Sequence, residues 1–415
     1  MGGFQEERRI HASGKGNRNA AVFLQQRLET FHFFMHIIHA VHYIQNRSTF
    51  EESTCAGMGE CAAVICERSI HEHLLHSGAE RMASIIGGGI AGMQCASELL
   101  RQGVAVTIIE KETDLGGKIR NWHKLFPTFT PADEVLAEVR HRLKTSPNLT
   151  IKTGCEATKV TATSVTLSSG EELKCDAAVI ATGFTLFDAK IKEEYGYGIY
   201  DNVITSADLE QMFNENNVRL KQGGVPRRIA ILHCVGSRDE KVCQRHCSKV
   251  CCVTGVKQAM ELKEMFPAAD VFNFYMDIRM FGPGYEEMYR EAQIKHNIHF
   301  VRGRISEVSP TFDNRLQIKA EDTLTGRPLK IGVDMLVLLI GMKANAHNSV
   351  LTAESNLTSQ PSGFMQPKDS FLHNVESNVD GVFYAGAVTA PKNVGESINE
   401  GTAAARAVVE WLEKR

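Results

Sequence analysis

Apolar positions along the chain fall into two regimes that divide near Met82. From "MASIIGGGIAGMQCASELLRQGVAVTIIEK" onward, short apolar runs alternate with a longer stretch of helical period. That order predicts a strand, a glycine turn, a helix and a second strand. Further apolar runs recur in "CDAAVIATGF", "VPRRIAILHCVGSRD" and "DGVFYAGAVTA", so strands and helices are expected to alternate through the chain as in an α/β protein. Tyr275, Asp277 and Arg279 in "FYMDIRMFGPGYEE" alternate as on a strand ahead of a Gly-Pro turn and a helix. They read as core positions with a buried ion pair, or as a docking surface.

Residues 1–81 show neither sustained strand alternation nor a capped helix. Their longest apolar run, "FHFFMHIIHAVHYI", is broken by four histidines and falls short of the roughly 20 residues that cross a membrane. No charged start, clean apolar core and small-residue cleavage site mark a signal peptide. A metal module using Cys61, Cys66, His71, His73 and His76 matches no zinc spacing. The segment reads instead as a non-conforming extension, poorly ordered or translated from an upstream start.

Composition narrows the classes. The chain has 415 residues, enough for two or three domains, and a formal net charge of -3, which gives no nucleic-acid footprint. Its 11 cysteines are concentrated rather than dispersed, which fits a reducing, cytoplasmic setting better than a secreted disulfide scaffold. No direct membrane insertion is expected.

The glycines of the first turn, Gly87, Gly89 and Gly92, have the G-x-G-x-x-G spacing of a dinucleotide-binding turn. The first permits the tight turn, the second lets a pyrophosphate approach the backbone, and the third lets helix pack on strand. The phosphates then meet the unpaired N–H groups of the helix start. Glu110, ending the second strand, suits the ribose hydroxyls. After Glu110 and Lys111 comes a second glycine pair, Gly116 and Gly117, with Lys118. Ala181, Thr182 and Gly183 end one later strand, and Gly386 with Ala387 ends another. In that order these features resemble the FAD domain of thioredoxin-reductase-like flavoproteins, in which an Asp often takes the place of Ala387. The resemblance implies two Rossmann-like domains with the FAD domain discontinuous: 82–222 and 341–415, with 223–340 inserted.

The inserted segment opens with a strand that should run into a second glycine-rich turn. Only Gly236 remains there, and Cys234 stands where the turn should open, so this domain looks like a dinucleotide fold that no longer binds a dinucleotide. Five cysteines lie in "CVGSRDEKVCQRHCSKVCC". Cys243, Cys247 and Cys251 are spaced four apart, as on one face of a helix, with Cys252 beside them and Cys234 facing the helix start. Thiolates converging there could cage an iron–sulfur cluster or a tetrahedral zinc. A C-x-x-C redox pair is absent from the sequence.

The cysteine stretch, with "ATGFTLFDAKIKEEYGYGIYDNVITSADLE", "FNFYMDIRMFGPGYEEMYREA" and "FVRGRISEV", resembles the flavin-binding A subunit of heterodisulfide reductases and the related A subunit of quinone-interacting oxidoreductase complexes. The likeness covers residues 82–415. It implies an FAD-dependent electron-transfer subunit of a larger complex, relaying electrons between partner subunits, and a homodimer is compatible with it. It also implies a [4Fe–4S] cluster on Cys234, Cys247, Cys251 and Cys252, with Cys243 spare. Lys392 stands where it could lie beside the isoalloxazine and stabilise a reduced flavin. Trp122 and His123 either line that ring or pack beneath it. The rival readings are a self-sufficient NAD(P)H-dependent disulfide reductase and a scaffold whose cysteines hold zinc.

Overall fold

A computed structural model of the protein describes residues 81–143 and 146–415. The extension expected up to residue 81, with its Cys61, Cys66, His71, His73 and His76, therefore lies outside the described residues but for Arg81. Two five-stranded parallel sheets organise the described chain. The first takes β1 (Met82–Ile86), β2 (Ala105–Ile109), β3 (Leu149–Lys152) and β4 (Ala177–Ile180). The chain then lays down β5 (Val203–Thr205), β6 (Arg228–Val235), β7 (Asp270–Tyr275), β8 (His299–Arg302) and β9 (Met335–Ile340) in the second sheet. It returns to the first with β10 (Val382–Tyr384). The spatial orders are β10-β4-β1-β2-β3 and β5-β9-β6-β7-β8.

Central strands such as β9, "MLVLLI", are apolar on both faces because helices cover one side of the sheet and a three-stranded antiparallel sheet within residues 305–333 covers the other. The helices that matter for the site are α1 (Ile90–Arg101), α2 (Ala132–Leu143), α3 (Ser206–Asn214), α4 (Cys251–Met265), α5 (Tyr285–Ile294) and α6 (Val394–Glu413). Local signals fix two of their starts. Thr205 and Asp208 form a capping box on α3, and Asn393 and Glu396 form another on α6, each satisfying two otherwise unpaired N–H groups. One core joins β1, β4, α1, α2 and α6; another joins β6, β9, α3 and α4.

Phe184–Leu186 pairs antiparallel with Met342–Ala344, so the chain leaves and re-enters the first unit side by side. Strand β5 pairs with β9, and Ile204, Leu209 and Phe213 pack in the second core, so these residues, expected in the first part of the FAD domain, pack with the second sheet. The alternation through Arg279 is also corrected. Strand β7 stops at Tyr275, and Asp277 pairs with Arg238 at 2.8 Å on a half-exposed surface rather than in a buried pair with Arg279.

Candidate functional site

The turn after β1 is shaped by backbone contact. Gly87 has φ +106 and a Cβ there would stand 2.4 Å from the Ala181 carbonyl oxygen; one on Gly92 would stand 2.0 Å from that of Gly87. No side chain fits either place. Gly89 differs: its Cβ would meet nothing within 4 Å. It caps the N-terminus of α1 beside an open cavity, where the first-turn N–H groups and the helix dipole favour an anion. The second glycine pair closes on the first, with Gly116 N–H donating to the Gly88 carbonyl oxygen at 2.8 Å. Buried Glu110 ties the turn down, accepting the Gly88 N–H at 2.7 Å and the Glu112 N–H at 2.9 Å.

The cavity is about 870 Å³, within the range of small-molecule sites. Gly87, Gly89, Glu110, Lys111, Gly117, Lys118, Ala181, Thr182, Gly183 and Ala387 all line it, and Gly92 and Gly386 stand behind the wall. Trp122 lines it too, whereas His123 lies behind and shares a 2.7 Å hydrogen bond with Glu261. Burial lowers the Lys118 pKa, and its ammonium rests 5.3 Å from the centre of the Phe184 ring. Lys392 reaches the cavity, but its ammonium donates to the Gly386 carbonyl oxygen and Thr389 Oγ1 and pairs with Glu400. A space of this size lined by a bare glycine cradle, helix N–H groups and an acid fits FAD.

The same cavity is also walled by Val250, Cys251 and Thr254. Here the expected helix from Cys243 to Cys251 is corrected. Helix α4 begins only at Cys251; Cys243 is exposed and left-handed (φ 57) after the short Glu240–Val242 turn, and Cys247 sits in the connecting loop. Cys234 stands near the C-terminal end of β6. The β6 register against β9 shifts between Leu232 and Val235, and Cys234 at φ 61 occupies a bulge conformation that glycine usually takes. Arg238 and Lys249 in the same loop are also left-handed. Each such residue costs on the order of 1 kcal/mol or more, which a functional loop tolerates.

Burial pushes the Cys251 thiol well up, and the neighbouring Cys234, Cys252 and Cys247 sulfurs push it further. Cys234 is raised to about 11, chiefly by burial and then by Cys252, while Arg238 and Arg304 oppose the shift. Those four thiols therefore share one electrostatic neighbourhood, and arginines stand ready to balance thiolate charge. A metal would displace the protons that burial otherwise holds. Among the described residues no three His, Cys, Asp or Glu side chains converge on a single metal ion. A four-iron cube asks for less convergence, since each thiolate binds its own corner. Beyond Cys234, a Cβ on Gly236 would fall 2.0 Å from the buried Phe187 ring, so side chain occupies the place where a second pyrophosphate needs bare backbone.

Sequence reasoning missed a buried group of charges at the same wall. Lys257 on α4 is buried in the cavity wall, 2.6 Å from Glu210 Oε1 of α3 and 3.1 Å from Glu261 Oε2. The available signal was a lysine and a glutamate four apart, a spacing that puts both on one helix face.

The model of the pyridine nucleotide-disulphide oxidoreductases matches residues 83–406. The chain belongs to that family. Within the pyridine nucleotide-disulphide oxidoreductases it is similar to the iron-sulfur A subunit of the CoB–CoM heterodisulfide reductase of Methanocaldococcus jannaschii, 32% identical over 419 residues that cover 79% of this chain and 64% of the relative. It is also similar to the A subunit of the H(2)/formate:CoB-CoM heterodisulfide,ferredoxin reductase of Methanococcus maripaludis, at 30% identity over 79% of this chain and 64% of that one. The chain spans just under two thirds of the length of these curated relatives. Among solved structures, the thioredoxin reductases of T. acidophilum (TM-score 0.56, 18% identity, 80% of this chain and 99% of that one) and Lactococcus lactis (0.58, 17%, 81% and 100%) share its fold. The fold is thus thioredoxin-reductase-like. Among the described residues no helix is long and apolar enough to cross a membrane.

Proposed function

We propose that this oxidoreductase is an FAD- and [4Fe–4S]-containing electron-transfer subunit of a heterodisulfide-reductase-like complex, working with partner subunits in a reducing compartment. The observation that carries the reading is that Cys251, one of the four clustered thiols, forms part of the wall of the cavity that begins at the Gly89 cradle. Bound there, FAD would supply one- and two-electron exchange and the cluster one-electron exchange.

In this reading Gly87, Gly89 and the α1 N-terminus hold the pyrophosphate, and Glu110 and Lys111 flank the ribose. Gly117, Lys118, the 181–183 turn and the Gly386–Ala387 turn enclose the remainder. The FAD portion is formed by β1–β4 with β10, and the inserted sheet presents the cysteines. Cys234, Cys247, Cys251 and Cys252 hold the cluster, and Lys249 N–H donates to Cys247 Sγ at 3.3 Å, a contact that stabilises a thiolate. Phe187 beside Gly236 supports delegation of nicotinamide chemistry to a partner.

Anaerobic purification followed by flavin, iron and acid-labile sulfide determination tests the proposal. Flavin together with equimolar iron and sulfide is the expected result. Zinc without sulfide, or rapid NADH- or NADPH-driven disulfide reduction by the isolated chain, would overturn it.

A further inference from the structure

A buried ionic network joins the cavity to the protein surface. Lys257, Glu210 and Glu261 are each under 5% exposed, and they bring two carboxylates to one ammonium. Lys257 donates to Glu210 Oε1 and, at 3.0 Å, to the Lys124 carbonyl oxygen. Gln258 donates to the same Glu210 oxygen at 2.7 Å, and the His123 backbone N–H donates to Glu210 Oε2 at 2.8 Å. Glu210 thus accepts three hydrogen bonds, with donors on both of its oxygens. Glu261 differs: its Oε2 lies 3.1 Å from Lys257 Nζ without an aligned hydrogen bond and has no other partner among the described residues.

The surplus carboxylate calls for a proton, since an uncompensated charge in a low-dielectric interior is expensive. Burial raises the Glu261 pKa, with Lys257 opposing and Glu210 reinforcing. Among the described residues, the other side chain bonded to Glu261 is His123, whose Nδ1 is 2.7 Å from Oε1 and whose side chain is 32% exposed. The remaining charges near the rim, Lys124 and Glu264, pair with each other at 3.6 Å. Phe213 packs against the His123 ring, 5.7 Å between centres.

We infer that His123 and Glu261 form a proton relay that carries protons from solvent to Lys257 and through it into the cavity. The inference rests on the flavin reading above. Lys257 yields an Nζ–H proton to the cavity occupant, and Glu261 as the carboxylic acid returns one to Nζ. The His123 imidazolium returns one to Glu261, and water returns one to His123. Only N–H and O–H bonds change, and one proton moves inward as an external low-potential donor delivers an electron pair. Glu210 anchors the ammonium, and Cys251, on the preceding turns of the same helix, lies on the electron side of the cavity.

The test mixes the anaerobic, cofactor-loaded full chain with reduced methyl viologen, whose oxidation moves no proton, in weak buffer containing a pH-indicator dye. Flavin bleaching and proton uptake are followed together. His123→Ala should slow proton uptake by on the order of tenfold or more without loss of bound flavin, and added imidazole should restore it. Glu261→Gln keeps the shape and should be slow with or without imidazole. Wild-type uptake in flavin-loaded His123→Ala, or slow uptake that imidazole leaves unchanged, overturns the relay alone. A wild-type chain that holds no flavin overturns the cofactor reading and the relay with it.

Discussion

Lys392 and Glu400 clamp one residue from both sides: Lys392 donates to the Gly386 carbonyl oxygen at 3.0 Å, Glu400 accepts the Gly386 N–H at 3.0 Å, and the two side chains meet at 2.8 Å. The ammonium's third donor goes to Thr389 Oγ1. All three of its donors are therefore committed to the turn that follows β10. Lys392 holds the cavity wall in shape, and its charge is balanced by Glu400.

Lys392→Met should destabilise the chain by about 2–3 kcal/mol, because it leaves Glu400 buried without its counter-ion. Burial already holds the Glu400 carboxyl above the usual range, with Lys392 opposing. A raised carboxyl pKa means that the folded chain holds this proton more tightly than the unfolded one does, so its stabilising contribution is present in acid and lost as pH rises. The deficit in the variant should accordingly be larger near neutral pH than in mild acid, measured by thermal melting at both.

Gly89→Val and Gly92→Val separate cofactor space from fold. A Cβ on Gly89 projects into open cavity, whereas one on Gly92 overlaps the Gly87 carbonyl. Gly89→Val should retain near-wild-type melting and lose flavin, visible as loss of yellow colour from the purified protein. Gly92→Val should fail to fold or be destabilised by several kcal/mol. Full flavin content in a folded Gly89→Val would defeat the cradle assignment.

These glycines were legible because the turn is local: strand, tight turn and helix follow one another, and the spacing itself carries the geometry. The helix expected across Cys243–Cys251 was not, because a four-residue spacing states where side chains would lie on a helix without stating that the backbone is helical. Ser237 and Ser248, hydrogen-bonded to each other in the interior at 2.5 Å, and the left-handed Cys243 and Lys249 hold that stretch as a loop. Val203–Thr205 misled for a different reason. Its apolar residues suit either sheet, and only pairing with β9 decides. The Glu210, Lys257 and Glu261 network draws on two helices separated by the whole of β6, so no window of sequence contains it.

Serine substitution tests the cluster ligands. Cys234, Cys247, Cys251 and Cys252 share one neighbourhood, and Cys243 is exposed on the loop between them. Each of the four Ser variants should lose most of its iron and sulfide while retaining flavin, and Cys243→Ser should keep both. All preparations have to be anaerobic, since oxidative loss imitates ligand loss. Iron retained in Cys234→Ser but lost in Cys243→Ser would place the cage on the loop and helix without the strand.

Asp239 offers a pH-dependent test of what holds the cysteine loop. Its carboxylate is buried between Lys192 and Arg304, accepting from each at 2.9 Å, and also accepts the Lys241 N–H at 3.1 Å. Burial alone would raise its pKa, but the Lys192 hydrogen bond and charge, joined by Arg304, hold it below the usual range. A lowered carboxyl pKa stabilises the fold above the ordinary aspartate value, about 3.9, and that contribution is lost as pH falls through it toward the folded value. Asp239→Asn should therefore melt below wild type by the equivalent of about 1–3 kcal/mol near neutral pH. Because Asn cannot titrate, the gap should narrow as the wild-type carboxylate takes up its proton in acid. A gap that stays constant from neutral pH into that range would show that the loop is held by packing and neutral hydrogen bonds rather than by the Asp239 charge.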